Sequence, residues 1–204
     1  MKLIGRNYSP FVRRVATTLT LLDIPFEHHQ LSVITERETV KTYSPLVRVP
    51  ALVLDDGETL IDSAAILDAI DEMAGPERAM VPVAGADRRA VLKLVALAVG
   101  ACEKMVTAYY ERTRRPAEFL YEDWAKQCED QARAALTVLD QAAATATPLS
   151  GGRLTQADIS AVIAYDFACL TQKDQLTPES SFPALAAYSA RLNALPAFAN
   201  TQAT

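Results

Sequence analysis

The chain has 204 residues, half of them apolar, and a formal net charge of −5. That length accommodates one large domain or two small ones, each with its own core. The acidic balance, with a pI near 5.1, excludes the basic footprint of a general nucleic-acid binder. No apolar run reaches the roughly 20 residues of a membrane span.

The first residues enter a strand-like segment directly, without a charged and then apolar leader, so the expected location is the cytoplasm. Residues 2–5 form this first apolar run. Ser9 and Pro10 then mark a helix start, because serine is a strong N-cap and proline fits the first helical position. Val12, Val15, Ala16, Leu19 and Leu22 keep helical spacing over 10–22, and Asp23-Ile24-Pro25 ends the run. A second strand is expected at 26–33. Thr35-Glu36-Arg37-Glu38 reads as a capping box for a short helix that Ser44-Pro45 stops. A third strand covers 49–54, Asp55-Asp56-Gly57 is a hairpin turn, and 58–61 pairs back antiparallel. Asp62-Ser63 opens a helix with Ala65, Ile66, Ala69, Ile70 and Met73 on its apolar face.

Residues 75–85 carry Pro76, Pro82 and Gly85 and read as a linker. Beyond it the strand signals vanish. Helical patterns cover 87–115, 117–146, 155–171 and 184–195. The predicted architecture is a βαβαββα domain with a mixed four-stranded sheet over 1–76, a linker over 77–86, and an all-α domain over 87–204.

Three segments of the first half carry chemistry. Ser9 places a hydroxyl and free helix N–H groups together, which suits an anion such as a thiolate. Val49-Pro50 stands at a strand start; a cis bond there would turn the Val49 backbone away from the sheet ladder, toward an extended peptide. Ser63 can cap its helix and bind a carboxylate, while Asp62 can pair with an ammonium, so together they suit an α-amino acid head. Capping alone also accounts for Ser9 and Ser63, and a trans edge proline for Pro50. Cys102, Cys128 and Cys169 are widely spaced and read as packing residues on helices; with the adjacent His28 and His29 they make no metal-ligand pattern, so no metal is expected.

In this order and spacing, the chain resembles the cytosolic glutathione transferases. The resemblance lies in Ser9-Pro10-Phe11-Val12-Arg13-Arg14-Val15, in Tyr43-Ser44-Pro45-Leu46-Val47-Arg48-Val49-Pro50-Ala51-Leu52, and in Leu60-Ile61-Asp62-Ser63-Ala64-Ala65-Ile66. Leu154-Thr155-Gln156-Ala157-Asp158-Ile159 is similar to the family's buried capping box. The second segment lacks the asparagine and glycine that the family usually has there. The resemblance implies a thioredoxin-like first domain, an all-α second domain and a homodimer. It also implies that Pro50 is cis, that Val49 pairs with the cysteinyl backbone of glutathione, that Asp62 and Ser63 hold its γ-glutamyl end, and that Arg48 lies near its glycyl end. Ser9 falls where serine-type members keep the hydroxyl that donates to the sulfur. Tyr8, one residue earlier, is the alternative, because other branches use tyrosine.

The implied chemistry is activation of the glutathione thiolate for attack on a small hydrophobic electrophile, with Phe11, Tyr109, Tyr110 and Arg114 as candidate contacts for it. Glutathione-dependent peroxidase or isomerase activity starts from the same thiolate. Disulfide exchange is disfavoured, because Ser9 and Val12 occupy a would-be CxxC. A non-catalytic module that binds glutathione or a protein is the rival from another class.

Overall fold

In the computed structural model, residues 1–203 are described. By their internal packing they divide into two units: Met1–Val83 together with the chain from Asn193 onward, and Ala84–Leu192.

The first unit is built on four short strands: β1 (Lys2–Ile4), β2 (Glu27–His29), β3 (Ala51–Val53) and β4 (Thr59–Ile61). They lie in the order β2-β1-β3-β4, with β1 parallel to β2 and antiparallel to β3, and β3 antiparallel to β4. This is the mixed sheet predicted from the sequence, with every strand shorter than the segment predicted for it. Two helices of this unit, α1 (Pro10–Leu21) and α3 (Ser63–Ala74), pack against each other. They bury Val12, Val15, Ala16 and Leu19 from one and Ile66, Leu67 and Ile70 from the other. Leu3, Ile4, Ala51 and Leu52 complete this core from the sheet.

The short helix α2 (Arg37–Lys41) corrects one expectation. Its N-cap is Glu36, and no side chain caps it, so the Thr35–Glu38 box does not form. Instead Ser32 Oγ accepts from the N–H groups of Ile34 and Thr35, and the Glu36 carboxylate accepts from Ser32 N–H. The turn is closed one step earlier, so Thr35 is already consumed as a donor.

Part of the stretch expected to be a linker is fastened to the first unit. The Asp71 carboxylate accepts from Met80 N–H at 2.6 Å and Val81 N–H at 3.0 Å, and Arg78 donates to the Leu22 carbonyl. Ala79 and Met80 are buried.

The chain end differs most from the sequence reading, which placed it with the helical half. The helix α10 (Pro196–Ala199) packs against α1. Phe198 is fully buried, Arg13 Nη2 donates to Asn193 Oδ1 at 2.9 Å, and the hydroxyls of Thr17 and Thr201 lie 2.8 Å apart.

The second unit is helical: α4 (Gly85–Thr113), α5 (Glu122–Thr145), α6 (Gln156–Thr171), the short α7 (Lys173–Leu176) and α8 (Pro178–Ser181), and α9 (Pro183–Asn193), whose last residue groups with the first unit. Central α6 is buried from Gln156 to Phe167 except at Asp166. The long helix predicted over 117–146 begins as a 3-10 turn at Ala117–Phe119, and α5 proper starts at Glu122. There the buried Glu111 carboxylate takes the Tyr121 N–H at 3.0 Å, and Arg112 bridges Glu122 and Glu129 across α4 and α5. The predicted capping box of α6 is present: Thr155 Oγ1 accepts from Ala157 N–H, and Asp158 accepts from Thr155 N–H at 2.7 Å.

Candidate functional site

The strand register sets out the site. Ile4, the last residue of β1, is paired with Ala51, the first of β3, and Ala51 with Ile61, the last of β4. The chain leaving β1 toward Ser9, the chain entering β3 through Val49-Pro50, and the chain leaving β4 at Asp62-Ser63 therefore meet at one end of the sheet. Sites in sheets flanked by helices characteristically form at such ends.

Ser9 is the N-cap of α1, with Pro10 at the first helical position and no acidic residue in the first turn. Its Oγ accepts the Val12 N–H at 3.5 Å, a long bond. The serine acts as an acceptor in that cap, which leaves its own proton for another group. The free N–H groups of the first turn add a partial positive charge with no local carboxylate to offset it. Beside it, Tyr8 is 36% exposed and Phe11 is half-buried.

Gly5 seats this turn against the second segment. Its φ is +124°, and a Cβ at that position would come within 2.6 Å of Val12 Cγ2 and 2.8 Å of Val49 Cβ. Glycine alone meets both conditions, and the close approach brings Val49 to the first turn of α1. The Val49–Pro50 bond is cis. Val49 precedes the β3 ladder, which starts at Ala51. Arg48 is exposed. Val47 stands where the resembling family has glycine, and its φ is +52°, a left-handed conformation that is costly for a β-branched side chain.

At the third segment the structure reassigns the cap. Asp62, not Ser63, is the N-cap of α3: its Oδ1 accepts the Ala64 N–H at 3.1 Å. Asp62 adopts φ +67° and ψ 138°, a sparsely populated region that is maintained only where the surroundings over-determine it. Asp62 is exposed. Ser63 occupies the first helical position and is buried. Arg14 Nη1 lies 3.4 Å from its Oγ and donates to it, which directs the serine proton away from the arginine and links α1 to the start of α3.

The family model of the glutathione S-transferase N-terminal domain matches residues 3–78, and that of its C-terminal domain matches residues 122–191. The chain belongs to the glutathione S-transferase family. A glutathione transferase family member from Pseudomonas fluorescens Pf-5, solved with bound glutathione, superposes with a TM-score of 0.86 at 28% identity over 100% of this chain and 98% of that one. A glutathione S-transferase from Methylobacterium radiotolerans, in complex with glutathione sulfonate, gives a TM-score of 0.92 at 25% identity over 100% and 95% of the two chains. The uncharacterized GST-like protein YibF of Escherichia coli K12 is 32% identical over 129 residues, 63% of each protein. The match thus spans less than two thirds of that curated relative's length.

Within this family member, the remaining sequence candidates lie on the second unit. Tyr109 and Tyr110 are on α4, their ring centroids 6.2 Å apart, and Arg114 is its exposed C-cap. Cys102 and Cys128 are buried and Cys169 is half-buried; burial pushes the thiols of Cys128 and Cys169 up, away from reactivity. Among the described residues no cluster of His, Cys, Asp and Glu is placed to hold a metal ion, and no helix is long and apolar enough to cross a membrane. Sequence reasoning missed Arg14 as a contact of Ser63. The signal was an arginine pair, Arg13-Arg14, inside a helix whose other residues are apolar or small over Val12–Thr18, and both arginines are buried.

Proposed function

We propose that this transferase binds glutathione along the three segments gathered at the sheet end and activates its thiol for attack on a small hydrophobic electrophile. The observation that carries the reading is the Ser9 hydroxyl, which acts as an acceptor in its own cap and so has a proton to donate, at a helix start free of acidic side chains. A free thiol has a pKa near ~8.5. A helix N-terminus favours the thiolate by roughly 0.3–2 kcal/mol, and a hydrogen bond to the charged sulfur by about 1.5–3 kcal/mol. At ~1.36 kcal/mol per pKa unit, these place the bound thiol about one to three below its free value.

In this reading Val49 pairs with the cysteinyl backbone, Asp62 takes the γ-glutamyl ammonium, and Ser63 with the α3 N-terminus takes its carboxylate. Arg48 meets the glycyl end. Phe11, next in line to the Ser9-Pro10 helix start, is a proposed contact of the electrophile. A homodimer and a cytoplasmic location complete the proposal. Relatives of the same fold, one solved with bound glutathione and one in complex with glutathione sulfonate, support the ligand.

The test is turnover of a halonitroaromatic with glutathione, alongside calorimetric titration of glutathione. Ser9→Ala is expected to lose most turnover while retaining binding. Full turnover in Ser9→Ala with loss in Tyr8→Phe would transfer the role to Tyr8. Binding without any turnover in the wild type would make the protein a non-catalytic glutathione module.

A further inference from the structure

Gly5 is the last residue held by the sheet before the turn that leads to Ser9. With its left-handed φ and no side chain, it would be a hinge unless both its peptide groups were fixed. Both are, and from the same strand. Its N–H donates to the His29 carbonyl at 2.9 Å, and its carbonyl lies 2.7 Å from His28 Nε2. A carbonyl can only accept, so Nε2 carries the ring proton. Burial, reinforced by the adjacent His29, lowers the imidazole below its ordinary value, so near neutral pH the ring is uncharged and its single proton is the one on Nε2.

The Gly5 carbonyl shares a planar peptide unit with the Arg6 N–H. Arg6 then opens the turn that Ser9 N–H closes onto the Arg6 carbonyl at 3.0 Å. The orientation of the Gly5 peptide is thereby passed to the N-cap of α1. Because Gly5 also presses against Val12 and Val49, the same peptide sets the approach of the third strand's entry.

We propose that His28 is a positioning residue for the sulfur site: its Nε2–H fixes the Gly5 peptide and so aims the Ser9 hydroxyl and the Val49 backbone at the ligand. This inference rests on the glutathione reading above. It separates the sulfur end of the site, which depends on His28, from the γ-glutamyl end at Asp62 and Ser63, which does not.

The test compares His28→Leu, which removes the donor, with His28→Gln, whose amide N–H reaches a similar distance. The readouts are the ultraviolet titration of the thiolate of bound glutathione, and kcat and KM for glutathione in the halonitroaromatic assay. Loss of one hydrogen bond is worth roughly a two- to tenfold change in an equilibrium. His28→Leu is expected to lower the thiolate fraction and kcat by that factor, with a smaller change in KM. His28→Gln is expected to restore both to within about twofold. If His28→Leu does not fold, His28→Asn, whose amide is too short to reach the carbonyl, takes its place. A folded donor-less variant with wild-type thiol titration would overturn the inference, and so would equal impairment in His28→Gln. A wild type that binds no glutathione would instead overturn the functional reading itself.

Discussion

Asp158 is the buried charge on which the helical unit closes, and its removal is expected to be among the most destabilising single changes in the chain. Its carboxylate is fully buried. One oxygen accepts from Leu149 N–H at 2.7 Å and Tyr188 O–H at 2.6 Å; the other accepts from Thr155 N–H at 2.7 Å and Thr155 Oγ1 at 2.9 Å. These bonds join the loop after α5, the first turn of α6 and the middle of α9. Asp158→Ala strands three of these donors, at Leu149, Thr155 and Tyr188, in a buried site. Each buried unsatisfied group costs about 1–3 kcal/mol, offset in part by no longer burying a carboxylate. The net expectation is a loss of about 3–5 kcal/mol, the range for breaking a buried charged interaction, and a large share of a typical domain's stability. Tyr188→Phe removes one bond to the charge and is expected to cost about 1.5–3 kcal/mol. Urea denaturation followed by circular dichroism reads both. With a urea slope of about 1–3 kcal/mol per molar, Asp158→Ala should lower the midpoint by roughly 1–5 M. The double variant Asp158→Asn with Tyr188→Phe should cost clearly less than the sum of its singles, since the two groups share one bond. An Asp158→Ala protein within 1 kcal/mol of wild type (roughly the spread of ordinary substitutions), or strict additivity of the pair, would refute the reasoning.

Gly5→Ala places a Cβ against Val12 and Val49 at a positive φ and is expected to cost about 2–5 kcal/mol, from overpacking and backbone strain together; a shift in urea midpoint under that range would count against the close approach. Val47→Gly relieves a β-branched residue at φ +52°, worth about 1–2 kcal/mol, against about 0.4–1 kcal/mol of added unfolded-state entropy. A small rise in melting temperature is expected, and a fall would contradict the strain assignment. The pKa of His28 is lowered below its ordinary 6.5, chiefly by burial. The unfolded chain therefore takes up a proton that the folded protein resists. Its contribution to stability is complete above about pH 6.5 and is lost as the pH falls toward the folded-state value. Urea midpoints measured from about pH 8 to about pH 5 should decline less steeply in His28→Gln than in wild type.

Much of the first unit was legible because its signals are local. Ser9-Pro10 and the apolar stripe behind it define α1, Asp55-Asp56-Gly57 defines the hairpin, and Thr155 with Asp158 defines the start of α6; each depends on residues within a few positions of one another. The features that differ from the sequence expectation depend on partners distant in sequence or on a choice between neighbouring donors. Phe198 and Thr201 read as the end of a helical domain, yet the surface they cover is on α1, which periodicity cannot reveal. Asp62 and Ser63 are both good capping residues, and a left-handed φ at Asp62 decides between them. Ser32 and Glu36 outcompete Thr35 because the preceding turn has already used its N–H. The contacts of Arg14 with Ser63 and of His28 with Gly5 join elements that only the sheet order brings together. Val47 is the instructive departure: the residue type argued against the family's loop path, and the backbone keeps a left-handed conformation there at a cost in strain.

In the proposed function, the Ser9 hydroxyl donates to the sulfur of bound glutathione. The most direct measurement is the ultraviolet titration of the glutathione thiolate in complex with wild type, Ser9→Ala and Tyr8→Phe. The expected result is a thiol pKa held about one to three below its free value in wild type and in Tyr8→Phe, and moved back by roughly one to two in Ser9→Ala, the loss of a bond worth about 1.5–3 kcal/mol. A Ser9→Ala complex that titrates like wild type would contradict it.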